Sequence, residues 1–240
     1  MPKISLYKES AKYYDLVYHW KDYKKESKKI IDLAKKYKKS DGNGLLDVAC
    51  GTGNHIKFLK QHYNVAGIDI NKHMLKIARK KFPKIKFYKG DMRNFNLNKK
   101  FDIVVCLFSA IGHLLSNLDI KRAISAMSSH LNEGGLIVIE PFIQKKYFVS
   151  GKANMETYNG KDIKISRHAD SYVNSNIVNI NLYYLISEKN KKVQYFVDKL
   201  TLNMFPPKKY LFYMKKAHLK ASFLKNGLMK DRGLFIGVKQ

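Results

Sequence analysis

Cysteine is scarce in this chain of 240 residues, which has only Cys50 and Cys106. Each lies at the end of a predicted buried strand, where a small thiol packs well and a disulfide framework has no basis. No CxxC or HxxxH spacing accompanies them, so the usual zinc-ligand patterns are missing. We therefore expect two buried free thiols and no bound metal.

Long hydrophobic runs are also missing, although hydrophobic residues make up 45% of the sequence. The apolar stretches 101–111 and 136–142 are too short to span a bilayer. Residues 1–10 are polar and mixed in charge and do not resemble the apolar centre of a secretory signal. We therefore expect a cytoplasmic protein with no membrane partner.

Arginine is rare, since only five of the 46 basic residues are Arg, yet the net charge is +27. Such a charge is typical of proteins that bind nucleic acid, because basic side chains displace counterions from phosphates. Arg is the residue preferred for forked recognition of phosphate and guanine, however, and the lysines are spread along most of the chain. We interpret the charge as a solvated surface. A nucleic-acid partner is disfavoured, and an anionic small substrate is an open alternative.

Apolar and amphipathic segments alternate through the first 140 residues. An amphipathic helix is predicted over 21–39, and the predicted strands are 45–50, 64–69, 84–88, 102–108 and 135–140. The predicted helices between them are 54–62, 71–82 and 118–131. Repeated βα units of this kind predict a doubly wound, mostly parallel α/β sheet with helices on both faces.

The pattern changes after residue 142. Three β-type stretches follow with no long helix between them, at 163–167, 176–187 and 193–202. A helical pattern returns over 208–225 and ends at 226–227, and a last strand is predicted over 233–239. We therefore predict a core of residues 1–142 and 203–240 and an antiparallel β insertion of residues 143–202.

Residues 47–53, with the sequence DVACGTG, lie at the first strand-to-helix turn. Gly51 and Gly53 allow the main chain to approach a ligand closely. Asp69 closes the second strand, where a carboxylate can accept both hydroxyls of a ribose. Ile56 stands where a dinucleotide fingerprint needs its third glycine. This disfavours a pyrophosphate and favours a nucleoside cofactor without phosphates, such as S-adenosylmethionine.

A second turn, Gly90–Met92, follows the third predicted strand. Here Asp91 can accept a hydrogen bond from the adenine amino group, and the Met92 amide can donate one to a ring nitrogen. A simple turn without a ligand is the alternative. The fourth strand ends at the same edge of the sheet, where open α/β sheets bind ligands.

With these motifs and residues 132–135, the chain resembles class I S-adenosylmethionine-dependent methyltransferases along residues 40–140. Residues 13–18, 108–114, 140–142 and 232–238 are similar to the N,N-dimethyltransferases that act on nucleotide-linked amino sugars. The resemblance runs nearly end to end and implies a Rossmann-like fold with a seven-stranded sheet. Those enzymes usually have Trp where this chain has Phe142, and the insertion is more divergent.

The resemblance also implies roles for individual residues. It implies cofactor contacts at Tyr14, Lys21, Asp47, Ala49, Gly51, Gly53, Asp69, Ile70, Met74, Asp91, Met92 and Leu107. It places Tyr14 and His113 beside the acceptor nitrogen, where His113 can take or relay a proton and Tyr14 can orient the amine. We expect the insertion to form the acceptor pocket, with substrate contacts at Phe142, Arg167, His168 and Tyr172.

The sequence thus predicts an S-adenosylmethionine-dependent N-methyltransferase of a small amine, acting as a monomer or homodimer. An RNA methyltransferase would exploit the basic surface, but residues 108–111 lack the Asp/Asn-Pro-Pro-Tyr/Phe tetrad common in enzymes that modify base amines. A glycine-type metabolite N-methyltransferase is a second alternative. A non-catalytic cofactor-binding protein, which needs no acceptor pocket, is a third.

Overall fold

Helices and strands alternate along most of the chain in the computed structural model, which describes residues 9–240. The helices are α1 (Tyr14–Val17), α2 (Tyr23–Tyr37), α3 (Ile56–Leu59), α4 (Lys72–Lys81), α5 (Asn117–Ser129) and α6 (Pro207–Lys216). Residues 1–8, which belong to the segment expected to lack a signal sequence, lie outside the described part. Within the described part, no helix is long and apolar enough to cross a membrane.

Seven strands form the larger sheet and confirm the predicted doubly wound α/β class. They are β1 (Gly44–Val48), β2 (Asn64–Asp69), β3 (Lys86–Lys89), β4 (Phe101–Cys106), β5 (Leu131–Ile139), β10 (Leu219–Leu224) and β11 (Leu234–Lys239). Their order is β10-β11-β5-β4-β1-β2-β3, and β11 runs in the direction opposite to the other six. The strand order reverses between β1 and β4, which opens a crevice at their carboxyl ends.

Helices cover both faces of this sheet because each carries one apolar stripe. The stripe on α2 includes Ile30 and Ala34, which belong to the same buried cluster as Leu45 of β1 and Val105 of β4. The stripe on α5 is Ile120, Ala123, Ile124 and Met127, and it packs on the opposite face. Burial on both faces explains why β1 and β4 are almost continuously apolar.

The insertion forms a separate antiparallel sheet of four strands. These are β6 (Asn154–Asn159), β7 (Ile163–Asn174), β8 (Ile177–Glu188) and β9 (Gln194–Asn203), paired in chain order. The inner face of this sheet packs Tyr184 and Phe196 against Tyr13, Val17 and Tyr18 of the N-terminal segment. The first strand was not predicted, because the sequence of β6 is polar and its apolar side chains do not alternate clearly.

The helix predicted over 208–225 is wrong in its second half. Helix α6 ends at Lys216, His218 adopts a left-handed conformation with φ 58°, and β10 follows. Leu219–Leu224 then pairs antiparallel with β11 along its whole length. The local pattern is compatible with a helix, but the edge of β11 offers a full ladder of hydrogen bonds, and tertiary pairing decides the structure.

Candidate active site

The carboxyl ends of β1, β2 and β3, together with the segment that follows β4, border a cavity of about 330 Å³, called the main cavity here. It is lined by Val48, Ala49, Ile68, Asp69, Ile70, Gly90, Asp91, Met92, Arg93, His113, Leu114, Leu115 and Asp119. Most of its polar groups come from the turns that follow the strands, as expected at a topological switch point. The crevice is therefore walled by residues that the sequence pattern singled out.

The glycine turn after β1 brings main chain to the cavity wall. Gly51 has φ +55°, and a Cβ built on it would meet no atom within 4 Å, so this glycine leaves its backbone open to a ligand. Gly53 has φ +79°, and a Cβ there would approach the Phe82 ring to 3.0 Å. Gly53 is therefore required for packing, and it lines neither the main cavity nor the smaller cavity described below.

Asp69 is the carboxylate at the end of β2 and is only 8% exposed. Its Oδ2 accepts a hydrogen bond from the Gly51 amide at 2.8 Å, and its Oδ1 accepts one from the Asn71 amide at 2.7 Å. Burial raises the pKa of Asp69, while the two amide donors oppose that shift. Each oxygen keeps a lone pair for a further donor, so the group fits the two adjacent hydroxyls of a ribose.

Asp91 stands at the other side of the main cavity. Arg93 donates to it from Nη2 at 2.6 Å and from its own amide at 2.9 Å, which lowers the pKa of Asp91 and keeps it charged. Met92 also lines the cavity. The third turn thus presents a carboxylate and a half-buried apolar wall, a combination that fits a nucleobase with an amino group.

A smaller cavity of about 40 Å³ adjoins the main cavity at Ala49 and is called the side cavity here. It is lined by Tyr14, Tyr23, Asp47, Ala49, Cys50, Gly51, Thr52, Asn54, His55, Leu107 and Phe108. Asp47 is 2% exposed, and burial together with the nearby Asp69 charge raises its pKa to about 8. A carboxyl at this place suits the amino group of an amino-acid moiety, which would restore its charge.

Asp15 links α1 to the glycine turn through side-chain hydrogen bonds. Its Oδ1 accepts from Thr52 Oγ1 at 2.6 Å and from Asn54 Nδ2 at 2.9 Å, and its Oδ2 accepts from Lys81 Nζ at 2.8 Å. These contacts place Tyr14 in the wall of the side cavity. Sequence reasoning missed Asp15, although its position beside Tyr14 at the start of a short helix was a usable signal.

Lys21, predicted to contact the cofactor, lines neither cavity. Its ammonium is buried against Glu26 and lies 4.3 Å from the centre of the Phe108 ring. Burial lowers its pKa, and Glu26 opposes that shift. Glu26 also lies 2.7 Å from Nε2 of His55, a side-cavity residue that the sequence did not reveal. Met74 is likewise buried outside both cavities.

His113 ends a short 3-10 turn, Ala110–His113, that follows β4. Its ring is accessible from within the main cavity, and the surrounding protein desolvates it and lowers its pKa. The imidazole is therefore neutral at pH 7 and can accept a proton. The two predicted catalytic residues thus lie in adjoining cavities, Tyr14 in the side cavity and His113 in the main cavity.

A cluster of aromatic and arginine side chains lies between the core and the insertion. It consists of Tyr18, Phe108, Phe142, Arg167 and Arg232, and we call it the aromatic–arginine cluster. The Arg167 guanidinium lies 5.1 Å from the Tyr18 ring centre, and that of Arg232 lies 5.5 Å from Phe108 and 6.0 Å from Phe142. Phe108 joins this cluster to the side cavity. Arg232 belongs to the segment 232–238 that carries the family resemblance, but the sequence did not indicate that it is a site residue.

The other two predicted substrate contacts are not brought to this cluster. His168 and Tyr172 are exposed on the outer face of β7, and His168 pairs there with Ser166 at 3.1 Å. Successive side chains of a strand point to opposite faces, so the burial of Arg167 fixes its neighbour His168 outward.

Comparison with known proteins agrees with the geometry. A family model described as a methyltransferase domain matches residues 45–135. The dTDP-3-amino-3,4,6-trideoxy-alpha-D-glucopyranose N,N-dimethyltransferase of Streptomyces venezuelae is 32% identical over 96% of this chain and 98% of its own length. The dTDP-3-amino-3,6-dideoxy-alpha-D-glucopyranose N,N-dimethyltransferase of Streptomyces fradiae is 30% identical over 99% of this chain and 93% of its own.

Solved structures show the same relationship. The crystal structure of DesVI from Streptomyces venezuelae superposes with a TM-score of 0.91 at 31% identity, covering 97% of this chain and 99% of that one. An S-adenosylmethionine-bound amino pentose methyltransferase from Micromonospora echinaspora superposes with a TM-score of 0.84 at 27% identity, covering 99% and 98%.

The sheet order, the glycine turn and the acidic residues at the strand ends define a class I S-adenosylmethionine-dependent methyltransferase, and these comparisons establish that class for the chain. The chain uses S-adenosylmethionine as its cofactor. Within the class, it belongs to the family that contains the two Streptomyces N,N-dimethyltransferases.

Proposed function

We propose that this protein transfers methyl groups from S-adenosylmethionine to the amino group of a nucleotide-linked amino sugar, in two successive steps. The relatives named above act on dTDP-linked amino sugars and are N,N-dimethyltransferases. The observation that carries the proposal is the aromatic–arginine cluster, which adjoins the side cavity through Phe108. Two guanidinium groups beside aromatic rings suit the diphosphate and base of a nucleotide.

The core is proposed to hold the cofactor, with Asp69 accepting hydrogen bonds from its ribose, Asp91 and Met92 facing its base, and Asp47 facing its amino group. When bound, the cofactor supplies a methyl group on a positively charged sulfur, so the acceptor must present an uncharged nitrogen. Holding that nitrogen in line is the main contribution of the protein, because methyl transfer has a good leaving group.

His113 is proposed to remove the proton from the acceptor ammonium. Its lowered pKa leaves Nδ1 or Nε2 free to accept at neutral pH. The Tyr14 hydroxyl is proposed to orient the nitrogen from the side cavity. Each methylation releases one proton from the amine, and His113 passes it to solvent at the open side of the main cavity.

The proposal also assigns cofactor binding and acceptor binding to different parts of the chain. Residues 1–142 and 203–240 form the cofactor-binding core, and residues 143–202 form the acceptor-binding subdomain. Arg167 of β7 supports this assignment, because it extends from the insertion to Tyr18. A cytoplasmic location is proposed as well, supported by two buried cysteines that are both free.

A substrate panel tests the function. Purified protein with S-adenosylmethionine is given dTDP-3-amino-3,4,6-trideoxyglucose, the same amino sugar without nucleotide, glycine and a mixed RNA, and products are measured by mass spectrometry. We expect the nucleotide-linked sugar to have the highest kcat/KM and to gain two methyl groups. Faster turnover of RNA or glycine would contradict the proposal, and Asp69→Ala serves as the control that lacks cofactor binding.

A further inference from the structure

Two consecutive residues after β4 adopt a backbone conformation that non-glycine residues rarely take. Phe108 has φ 50° and Ser109 has φ 61°, both in the left-handed region. Such residues persist only where the surrounding structure holds them, and they are concentrated at functional sites. This turn sits between the side cavity, which Phe108 lines, and the 3-10 turn that carries His113.

The end of β5 holds this turn in place. Glu140 is completely buried, and its Oε2 accepts a hydrogen bond from the Phe108 amide at 2.6 Å. The next residue, Pro141, accepts a hydrogen bond from Ser109 Oγ at 3.1 Å. Arg232 Nη1 donates to the same Ser109 oxygen at 2.5 Å. Both strained residues are thus fixed by side-chain bonds as well as by the sheet.

Three charged side chains, those of Arg232, Lys21 and Glu26, act on the Glu140 carboxylate. Its Oε1 has no hydrogen-bond partner among residues 9–240 and lies 3.9 Å from Arg232 Nη1. Lys21, which precedes α2, attracts the carboxylate, and Glu26 of α2 repels it. Burial of a carboxylate without full compensation is costly. What the carboxylate supplies in return is the acceptor for the Phe108 amide, which an apolar side chain would leave without a partner, and this indicates a positioning role.

We propose that Glu140 is a positioning residue for methyl transfer, which fixes the Phe108–Ser109 turn and thereby sets the place of His113 and of the Phe108 wall. Arg232 acts as its counter-ion and as the second clamp on the turn. Glu140 itself lines neither the main cavity nor the side cavity. The inference rests on the proposed function for its kinetic consequence, but the structural part is independent of the acceptor.

The test compares Glu140→Ala and Glu140→Gln with Glu133→Ala, an exposed glutamate on the same strand. The glutamine keeps an oxygen that can accept from the Phe108 amide, whereas the alanine does not. Three quantities are measured: the affinity for S-adenosylhomocysteine by calorimetry, kcat on dTDP-3-amino-3,4,6-trideoxyglucose, and the pKa of His113 by NMR titration, assigned with a His113→Asn variant.

We expect Glu140→Ala to keep cofactor-product affinity within about threefold, to lose at least tenfold in kcat and to move the His113 pKa upward as the turn relaxes. Glu140→Gln should recover kcat to within about threefold, and Glu133→Ala should match the wild type. An unchanged kcat and an unchanged His113 pKa in Glu140→Ala would overturn the proposal, as would a glutamine variant no better than alanine.

The His113 titration separates this inference from the proposed function. If the wild type does not methylate the nucleotide-linked sugar, a shifted His113 pKa in Glu140→Ala still supports the positioning role, and an unshifted one rejects it. If Glu140→Ala does not fold, the proposal is tested with Glu140→Gln instead, by measuring hydrogen exchange of the Phe108 amide. A protected Phe108 amide supports the role, and an unprotected amide with wild-type turnover rejects it.

Discussion

The cofactor edge of the larger sheet and the inner face of the insertion, which we propose to bind the cofactor and the acceptor respectively, are built in different ways. At the cofactor edge, the Asp69 carboxylate is fixed by hydrogen bonds from the main-chain amides of Gly51 and Asn71, which lie in the turns after β1 and β2. At the insertion, Arg167 is fixed by side-chain packing against Tyr18, which comes from a distant part of the chain. The first arrangement is local and has a sequence signature, whereas the second depends on how two sheets meet.

The largest effect is expected at the cofactor edge, from Asp69→Ala. Loss of two hydrogen bonds to a charged oxygen pair costs about 4 kcal/mol, which corresponds to about a thousandfold in affinity. Calorimetric titration with S-adenosylhomocysteine measures this change. Asp41→Ala, at an exposed site in the loop before the amino end of β1, is the control and should bind normally. A loss of less than tenfold would show that the ribose contact lies elsewhere.

His113→Asn should lower kcat about a hundredfold, in the range found when a general base is removed, and change cofactor affinity little. The acid limb of the pH–rate profile should lie below about pH 6.5, because His113 must be deprotonated and its pKa is lowered. His168→Asn is the matched control on the outer face of β7 and should match the wild type. An equal loss of kcat in His113→Asn and His168→Asn would contradict the specific role of His113 as the base.

Arg167→Met should raise the acceptor KM about tenfold for a nucleotide-linked sugar and leave the cofactor Kd unchanged, because a single charged contact to phosphate is worth about 1.4 kcal/mol. Lys164→Met, on the exposed face of the same strand, is the control. Steady-state kinetics with the linked and unlinked sugar measure the difference. A change in cofactor affinity would contradict the separation of the two regions.

Asp47→Asn is expected to change stability, producing a flatter dependence of Tm on pH. An unfolded aspartate has a pKa of about 3.9. Burial raises that of Asp47 to about 8, so the folded protein keeps a proton that the unfolded chain releases. Stability therefore falls as pH rises from about 4 to 8, and asparagine removes that contribution. Thermal unfolding at pH 5 and pH 8 measures it, with Asp41→Asn as control; parallel slopes would refute it.

The same contrast explains which predictions from sequence succeeded. The doubly wound, mostly parallel class followed from the alternation of apolar strands with amphipathic helices, and the seven strands were implied by the family resemblance. Asp69 and Asp91, singled out at the ends of predicted strands, both line the main cavity. The place of Arg232 could not be predicted, because it reaches Phe108 only after β11 has paired with β5. The β10 strand was missed for a different reason: its local pattern is compatible with a helix, and only its pairing with β11 decides the structure.

His168 and Tyr172 show a second limit of sequence reasoning. Their chemistry suited a polar pocket, and the alternation along β7 was visible, but which of its two faces meets the core is decided by contacts with Tyr18 and Tyr184. A strand shifted by one residue would have exchanged Arg167 with His168. Residue type alone does not determine that register.

Helix α1 belongs to both regions at once. Asp15 fastens it to the glycine turn, while Tyr13, just before it, donates a hydrogen bond to Glu188 at the end of β8 at 2.7 Å. Any outward swing of α1 that uncovers the side cavity must therefore also loosen its hold on the insertion. Under the proposed function, this geometry couples exchange of the spent cofactor to departure of the methylated product, because each requires the same short helix to move.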